Sequence, residues 1–449
     1  AGHRPFFRGE TVSFTATAAN ESATGTALQA FVGGFRTGGS ISGSLGTFPG
    51  RQYATGREPT AVAVGDLNGD GRPDAVVANL QGANVSVLLG SVGGFSAAVE
   101  YAAGGLPRAV ALGDLNSDGH LDAVVANAST NDVSVLLGNG AGAFAAPVNF
   151  PAGAYPGAVV LGDLNGDGKL DAVVANRNSD NISVLLGNGT GGFSAPTSYA
   201  TGPWTLALAL GDLNGDGRLD AVVAGSSLWV FLGNGTGGFA TPVQFAVGAW
   251  MDAIALGDLN GDRKVDAVAL GGGNALVLQG DGTGSFAPPV QFAVGWDSGA
   301  APTSVAVGDL NEDGRQDIVV SCSNHQVLSI LLGDGAGSFA PRVNVASGAH
   351  PYAVALADIN GDNHSDALVV NYSSNRLSVM AGNGNGGFVA AQGFGAGQAP
   401  HSVALGDLNG DGKLDAVVAN RWTNHISVML GSEAVGFLSP VSIEVGAET

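Results

Sequence analysis

Asp163, Asn165, Asp167 and Asp171 stand at positions 1, 3, 5 and 9 of the string DLNGDGKLD. Side-chain oxygens at those intervals, with the backbone carbonyl of Lys169 at position 7, are the donors that a hard cation takes. Calcium accepts roughly six to eight oxygens at flexible geometry, whereas magnesium keeps more of its coordination as water. Glycine at position 6 (Gly168) permits the left-handed turn that wraps a chain round an ion. The same set recurs seven more times, at Asp66, Asn68, Asp70, Arg72 and Asp74; Asp114, Asn116, Asp118, His120 and Asp122; Asp212, Asn214, Asp216, Arg218 and Asp220; Asp258, Asn260, Asp262, Lys264 and Asp266; Asp309, Asn311, Asp313, Arg315 and Asp317; Asp358, Asn360, Asp362, His364 and Asp366; and Asp407, Asn409, Asp411, Lys413 and Asp415. In each set the fourth residue named, at position 7, offers its carbonyl, so its charged head can sit in solvent. The expected cofactor is therefore Ca²⁺, about eight ions per chain.

EF-hand and dockerin loops open in the same way but need a carboxylate at position 12 inside a following helix. Here position 12 is Val77, Val125, Val174, Val223, Ala269, Val320, Val369 or Val418. The flanks read as strands, which makes this a calcium loop within a β-hairpin. An Asx-rich turn without an ion is the competing reading, but three aspartates within nine residues would repel one another in it. The formal net charge of the chain is −21. Eight loops of three aspartates carry 24 negative charges, and eight divalent ions would return 16, leaving −5. Two loops depart from the pattern, with Arg263 and Asn363 at position 6. Asparagine tolerates the left-handed region better than arginine does, so the fifth site is expected to be the weakest.

The elements that must position these loops follow from their spacing. The first aspartates are 48, 49, 49, 46, 51, 49 and 49 residues apart, a period of propellers or solenoids. A calcium-binding β-helix has a far shorter repeat. Within residues 158–202, AVVLGDLN enters the loop, DAVVAN leaves it, ISVLLGNG alternates apolar and polar residues, and FSAPTSYATG carries the proline of an edge strand. Four short strands bounded by Gly, Asn and Asp make an antiparallel meander, and no segment keeps a 3.6-residue period. The predicted fold is all-β, a β-propeller of four-stranded antiparallel blades, with eight blades favoured and seven as the alternative. Residues 57–449 form the eight-repeat propeller. Residues 1–56 form a strand-rich extension that serves closure or subunit contact, and FPGRQYATG (48–56) echoes the fourth-strand segment.

Repeats of G-D-L-N-G-D-G-x-x-D followed by a strand and a later G-G-F-x-x-P resemble the FG-GAP/VCBS family, which includes the integrin α-subunit propeller. The similarity covers about residues 57–446. It implies a calcium-binding propeller used in adhesion or ligand recognition.

Function classes can also be set aside. With Asp+Glu 38 against Lys+Arg 17, no basic footprint for nucleic acid exists. No run of 18 apolar residues spans a membrane, and the single cysteine, Cys322, allows no intrachain disulfide. A first residue Ala1 rather than Met reads as a processed, exported chain, so an extracellular or cell-surface location is expected, although a trimmed chain would look the same. No G-x-S-x-G, H-E-x-x-H or Cys/His cluster appears, and the expectation is a non-catalytic protein. A calcium-dependent polysaccharide-active enzyme, drawing on scattered histidines, is the weaker alternative.

Propeller topology puts the calcium loops and the LGNGTGGF-type loops on one face. The opposite face varies between units. Its fourth-to-first loops offer Arg108, Tyr155, Trp204, Trp250, Trp296, His350, Tyr352 and His401, and its second-to-third loops Arg177, Asn178, His325, Tyr372, Arg376, Arg421, Trp422 and His425. Loops on a rigid scaffold are the usual place for binding residues. Aromatic and Arg side chains suit stacking on sugars or anchoring an extracellular protein. Arg177, His325, Tyr352, Tyr372, Arg421, Trp422 and His425 are the candidate ligand face. The competing reading is that blade-to-blade packing takes several of these rings, with Trp204 and Trp250, just before inner strands, the first to be buried. The second function class is a self-assembling structural or filament subunit. In that reading eight units supply all their own fourth strands, and the N-terminal strand is free to pair with a neighbour.

Overall fold

The computed structural model describes residues 51–91, 94–205, 207–248, 250–295 and 301–431, preceded by three short strands at Val12–Ser13, Ala19–Glu21 and Ala27–Ala30. Trp296 lies outside the described residues.

Eight sheets, each built on four antiparallel strands in the order inner to outer, form an eight-bladed β-propeller. Seven blades are thereby excluded. Blade 3 is representative: Pro156–Gly162, Asp171–Asn176, Asn181–Leu185 and Thr197–Ala200. The second strand, DAVVAN, is buried along its whole length. It reads as a continuous apolar run because a neighbouring blade covers each of its two faces. Val173 and Ala175 pack towards Leu208, Leu210 and Phe231 of blade 4, while Ala172 and Val174 pack towards Ala109, Val124 and Val133 of blade 2. The core is thus a ring of inter-blade layers. It closes where Val62, Ala75 and Val77 of blade 1 meet Ala404, Val417 and Ile426 of blade 8.

A second contact repeats round the rim. Where the fourth strand carries an aromatic residue, the phenylalanine of the next blade's G-x-F segment meets it edge-on, as in Tyr101–Phe144 at 5.6 Å, Phe150–Phe193 at 5.5 Å and Tyr199–Phe239 at 5.4 Å between ring centroids, while Phe388 packs with Val345. Edge-to-face pairs of this kind contribute about 0.5–1.5 kcal/mol beyond their buried area.

Closure departs from the sequence-based expectation. Blade 8 consists of Pro400–Gly406, Asp415–Asn420 and His425–Met429, and its fourth strand is Arg51–Ala54, with Tyr53 opposite Ile426. Tyr53 meets Phe95 of blade 1 edge-on at 5.8 Å, as the fourth-strand aromatics of other blades do. The eight units do not supply all their own fourth strands. A strand from the opposite end of the chain joins first and last blades and so locks the ring. Val12–Ser13 pairs with Ala306 and Val307 of the innermost strand of blade 6, and Ala19–Glu21 pairs with Ala27–Ala30. Blade 6 also holds a single 3₁₀ turn, Ser323–His325.

Candidate functional site

The repeated loop joins the first and second strands of every blade, and its aspartates do distinct jobs. In blade 3, Asp163 Oδ1 accepts the N–H groups of Gly166 (2.7 Å) and Asp167 (3.2 Å), and its Oδ2 that of Gly168 (2.8 Å). Asn165 Oδ1 accepts from Asp167, and Asp167 Oδ1 from Lys169. Asp171 is fully buried and accepts from Leu164 (3.0 Å) and from Gly187 (2.7 Å), the latter in the loop between third and fourth strands. That bond confirms that the two loop types share a face. Gly187 must be glycine, since a Cβ there would lie 2.2 Å from the Leu170 carbonyl. The third-to-fourth loop also reaches the adjacent blade, with Gly191 N–H donating to the Leu115 carbonyl at 3.3 Å.

Burial pushes the position-9 carboxylates up, with the other aspartates of the loop adding to the shift against the two N–H donors. Asp74, Asp122, Asp171, Asp220 and Asp317 rise to about 6, and Asp366 and Asp415 to about 7. Each loop therefore concentrates negative charge that a cation would relieve. The donor chemistry, three carboxylates, an amide oxygen and a carbonyl, fits calcium. A carboxylate has about four lone-pair sites, so the position-9 aspartate, with one N–H bond on each oxygen, keeps acceptor capacity, whereas the position-1 Oδ1 already accepts several loop N–H groups. Among the described residues, however, no group of three acidic, histidine or cysteine side chains converges as a finished cage. The basic heads at position 7 stay at the solvent-exposed surface as counter-charges: Arg72, Lys169, Arg218, Lys264 and Arg315 approach the position-5 aspartates at 2.8, 3.2, 3.7, 3.4 and 3.5 Å.

The opposite face gathers many of the candidate ligand residues into two arcs. Left-handed residues in the loops that lead into the inner strands carry these side chains: Tyr155, directly before Pro156–Gly162, has φ 60°, and Trp204, ahead of Ala207–Gly211, has φ 63°. The strand register then shifts at the following proline, as between Pro107 and Ala109, which displays Arg108. In the first arc an Arg108 N–H donates to the Tyr155 hydroxyl at 2.7 Å, and the guanidinium lies 4.9 Å from the ring centroid. Arg177 lies 5.9 Å from Tyr155 and 4.2 Å from Trp204, and Trp204 meets Trp250 edge-on at 5.5 Å. Trp204 and Trp250 are 43% and 53% exposed, so the competing reading, in which they pack between blades, does not hold for these two rings. The small Ala and Val residues of the inner strands already fill that layer.

The second arc runs from Trp422 to Tyr372 (5.5 Å), to Tyr352 (6.0 Å) and to His401 (4.4 Å). His401 Nδ1 donates to the Thr60 carbonyl at 3.1 Å, tying blade 8 to blade 1. Desolvation first, then the charge of Arg421, lowers the His401 imidazole to about 4. Arg421 pairs with Glu58 at 3.6 Å. His425 is turned to the Thr423 carbonyl, His325 sits in the 3₁₀ turn of blade 6, and Asn178, His350 and Arg376 are exposed. Among the described residues neither Arg108 nor Arg177 is held in an ion pair.

Fold and repeat together define an eight-bladed propeller in which each blade carries one acidic loop. The FG-GAP-like repeat matches residues 66–125, 114–174, 163–223, 258–320, 309–369 and 358–418, and the chain belongs to that family. No curated protein matches the chain. Among solved structures, a Lactobacillus plantarum protein is similar at 14% identity and TM-score 0.50, covering 78% of this chain and 96% of its own. A putative 6-phosphogluconolactonase from Bacteroides uniformis is similar at 15% identity and TM-score 0.50, with 77% and 99% covered. BBS1N, solved in complex with ARL6DN, shows 12% identity and TM-score 0.50, with 74% and 95% covered. These likenesses establish the fold.

Proposed function

We propose that this protein is an exported recognition propeller, stapled by calcium at its repeated loops, that binds a carboxylate-bearing glycan across the aromatic–arginine face and does no catalysis. The observation that carries this reading is Arg177, stacked 4.2 Å over an exposed Trp204 and outside any ion pair among the described residues, in a chain of net charge −21. An acidic protein that keeps arginines on indole and phenol rings presents positive charge next to flat apolar surface. A uronic-acid sugar offers the complement of both: a carboxylate for the guanidinium fork and a C–H face for the ring.

The test is an array of neutral and uronic-acid-bearing glycans, probed with the wild type, Trp204→Ala and Arg177→Gln. Both variants should bind at least about tenfold more weakly, as substitutions at binding hot spots do, and Arg177→Gln should lose the preference for acidic glycans. Their melting should match the wild type. Equal binding by all three proteins, or loss of stability in step with binding, would make the arc a packing feature.

A further inference from the structure

Nine segments of this chain carry the fourth-strand sequence, and eight blades offer eight places for them. The segments are PGRQYATG (49–56), AAVEYAAG (97–104), APVNFPAG (146–153), APTSYATG (195–202), TPVQFAVG (241–248), PPVQFAVG (288–295), PRVNVASG (341–348), AAQGFGAG (390–397) and SPVSIEVG (439–446). Each ends in glycine and carries an aromatic or β-branched residue three positions earlier. The ninth is also correctly spaced. Gly431 donates its N–H to Asp415 as Gly187 does to Asp171. Val441 follows Gly431 by ten residues, as Thr197 follows Gly187, Val243 follows Gly233 and Val290 follows Gly280. The place that Val441–Val445 would take in blade 8 is held by Arg51–Ala54.

One more segment carries the fourth-strand sequence than the described blades have places for, and the alternation of Val441, Ile443 and Val445 with Ser442 and Glu444 suits a half-covered strand. We infer that Val441–Val445 of one copy adds antiparallel to the outer edge of a fourth strand in a second copy, so that the protein assembles with itself. In blades 1 to 6 the sheet order ends on a fourth strand, whose outer edge pairs with no other strand among the described residues. Val148, Val243, Val290 and Val343 on those strands are 55%, 46%, 50% and 50% exposed, a row of β-branched residues beside an open edge. Such edges are the usual template for strand addition. Because the donor segment and the acceptor edge are different surfaces, the contact is head-to-tail and gives rings or filaments.

Sedimentation velocity over a concentration series tests this, comparing the full chain, a chain ending at Leu438, and full-length Ile443→Pro, which removes a ladder N–H. The full chain should associate, while both altered chains sediment as monomers with unchanged melting. A synthetic peptide of residues 439–446 should bind the shortened chain, and the same peptide with Ile443→Pro should bind at least tenfold more weakly. A full chain that stays monomeric throughout overturns the inference. So does a shortened chain that melts markedly lower, since Val441–Val445 would then be the closing strand of its own blade.

Discussion

Arg263 holds φ at 65° where Gly168 and its counterparts sit, and its N–H makes the same 2.8 Å bond to the first aspartate of the loop. The turn is therefore formed, at a cost of about 1–2 kcal/mol for a residue with a Cβ. Arg263→Gly should stabilise the protein by about 1 kcal/mol in urea unfolding and tighten the fifth loop for calcium, the gain being trimmed by glycine's larger unfolded-state entropy. No gain in either measurement would mean that the loop already absorbs the strain. The turn has a second left-handed position, at residue 4, filled by glycine in six loops and by Ser117 and Glu312 at φ 60° in the other two. The sequence showed those glycines, but the ligand pattern drew the reading to position 6. His401 is the other informative residue. Its pKa of about 4 lies below the usual histidine value, so the fold favours the neutral ring. That contribution is complete above about pH 6.5 and is lost as pH falls towards 4. Thermal midpoints should fall less steeply over this window in His401→Gln than in the wild type; parallel curves would show that the ring is not desolvated.

At the scale of elements, the apolar string DAVVAN announced a buried second strand, and the meander followed from turn spacing. What that reading missed was the polar seam inside the blade. Asn176 Nδ2 donates to Ser183 Oγ and to Asn181 Oδ1, both at 2.9 Å, while Asn176 Oδ1 accepts from Gly153 N–H at 3.1 Å. Asn79–Ser86, Asn127–Ser134, Asn371–Ser378 and Asn420–Ser427 repeat the bond at 2.8–2.9 Å. In the sequence the asparagine passes for a turn residue and the serine for the solvent side of an alternating strand. The signal was their constant seven-residue separation, which has no meaning until a hairpin places them opposite. Asn176→Ala leaves buried partners unpaired and should cost about 1–3 kcal/mol in urea unfolding. Exposed Asn178→Ala should cost almost nothing, and equal effects would contradict the seam's role. Closure was illegible for a different reason. Local order assigns blade 8 the strand that follows it, and only the folded ring shows that Arg51–Ala54 takes the place.

The whole molecule is a ring with two unlike faces: repeated acidic loops on one, and variable aromatic and arginine side chains on the other. The division was legible because repetition and variation sort by loop type, whereas the two arcs depend on neighbours from different blades. Calcium is the central claim at this scale. Extracellular modules bind it with dissociation constants of about 10⁻⁴–10⁻³ M. At tenfold excess each loop would add roughly 1.4 kcal/mol to folding, and eight independent loops roughly 11 kcal/mol, since binding needs the native turn. The most direct measurement is elemental analysis of protein dialysed against millimolar calcium, paired with a thermal scan before and after EDTA. About eight calcium ions per chain, about one fewer in Asp167→Ala, and a sharply lower melting temperature in EDTA are the predicted results. Protein without bound metal that melts identically in EDTA would contradict the account, leaving the repeated loop as a turn held by its own backbone.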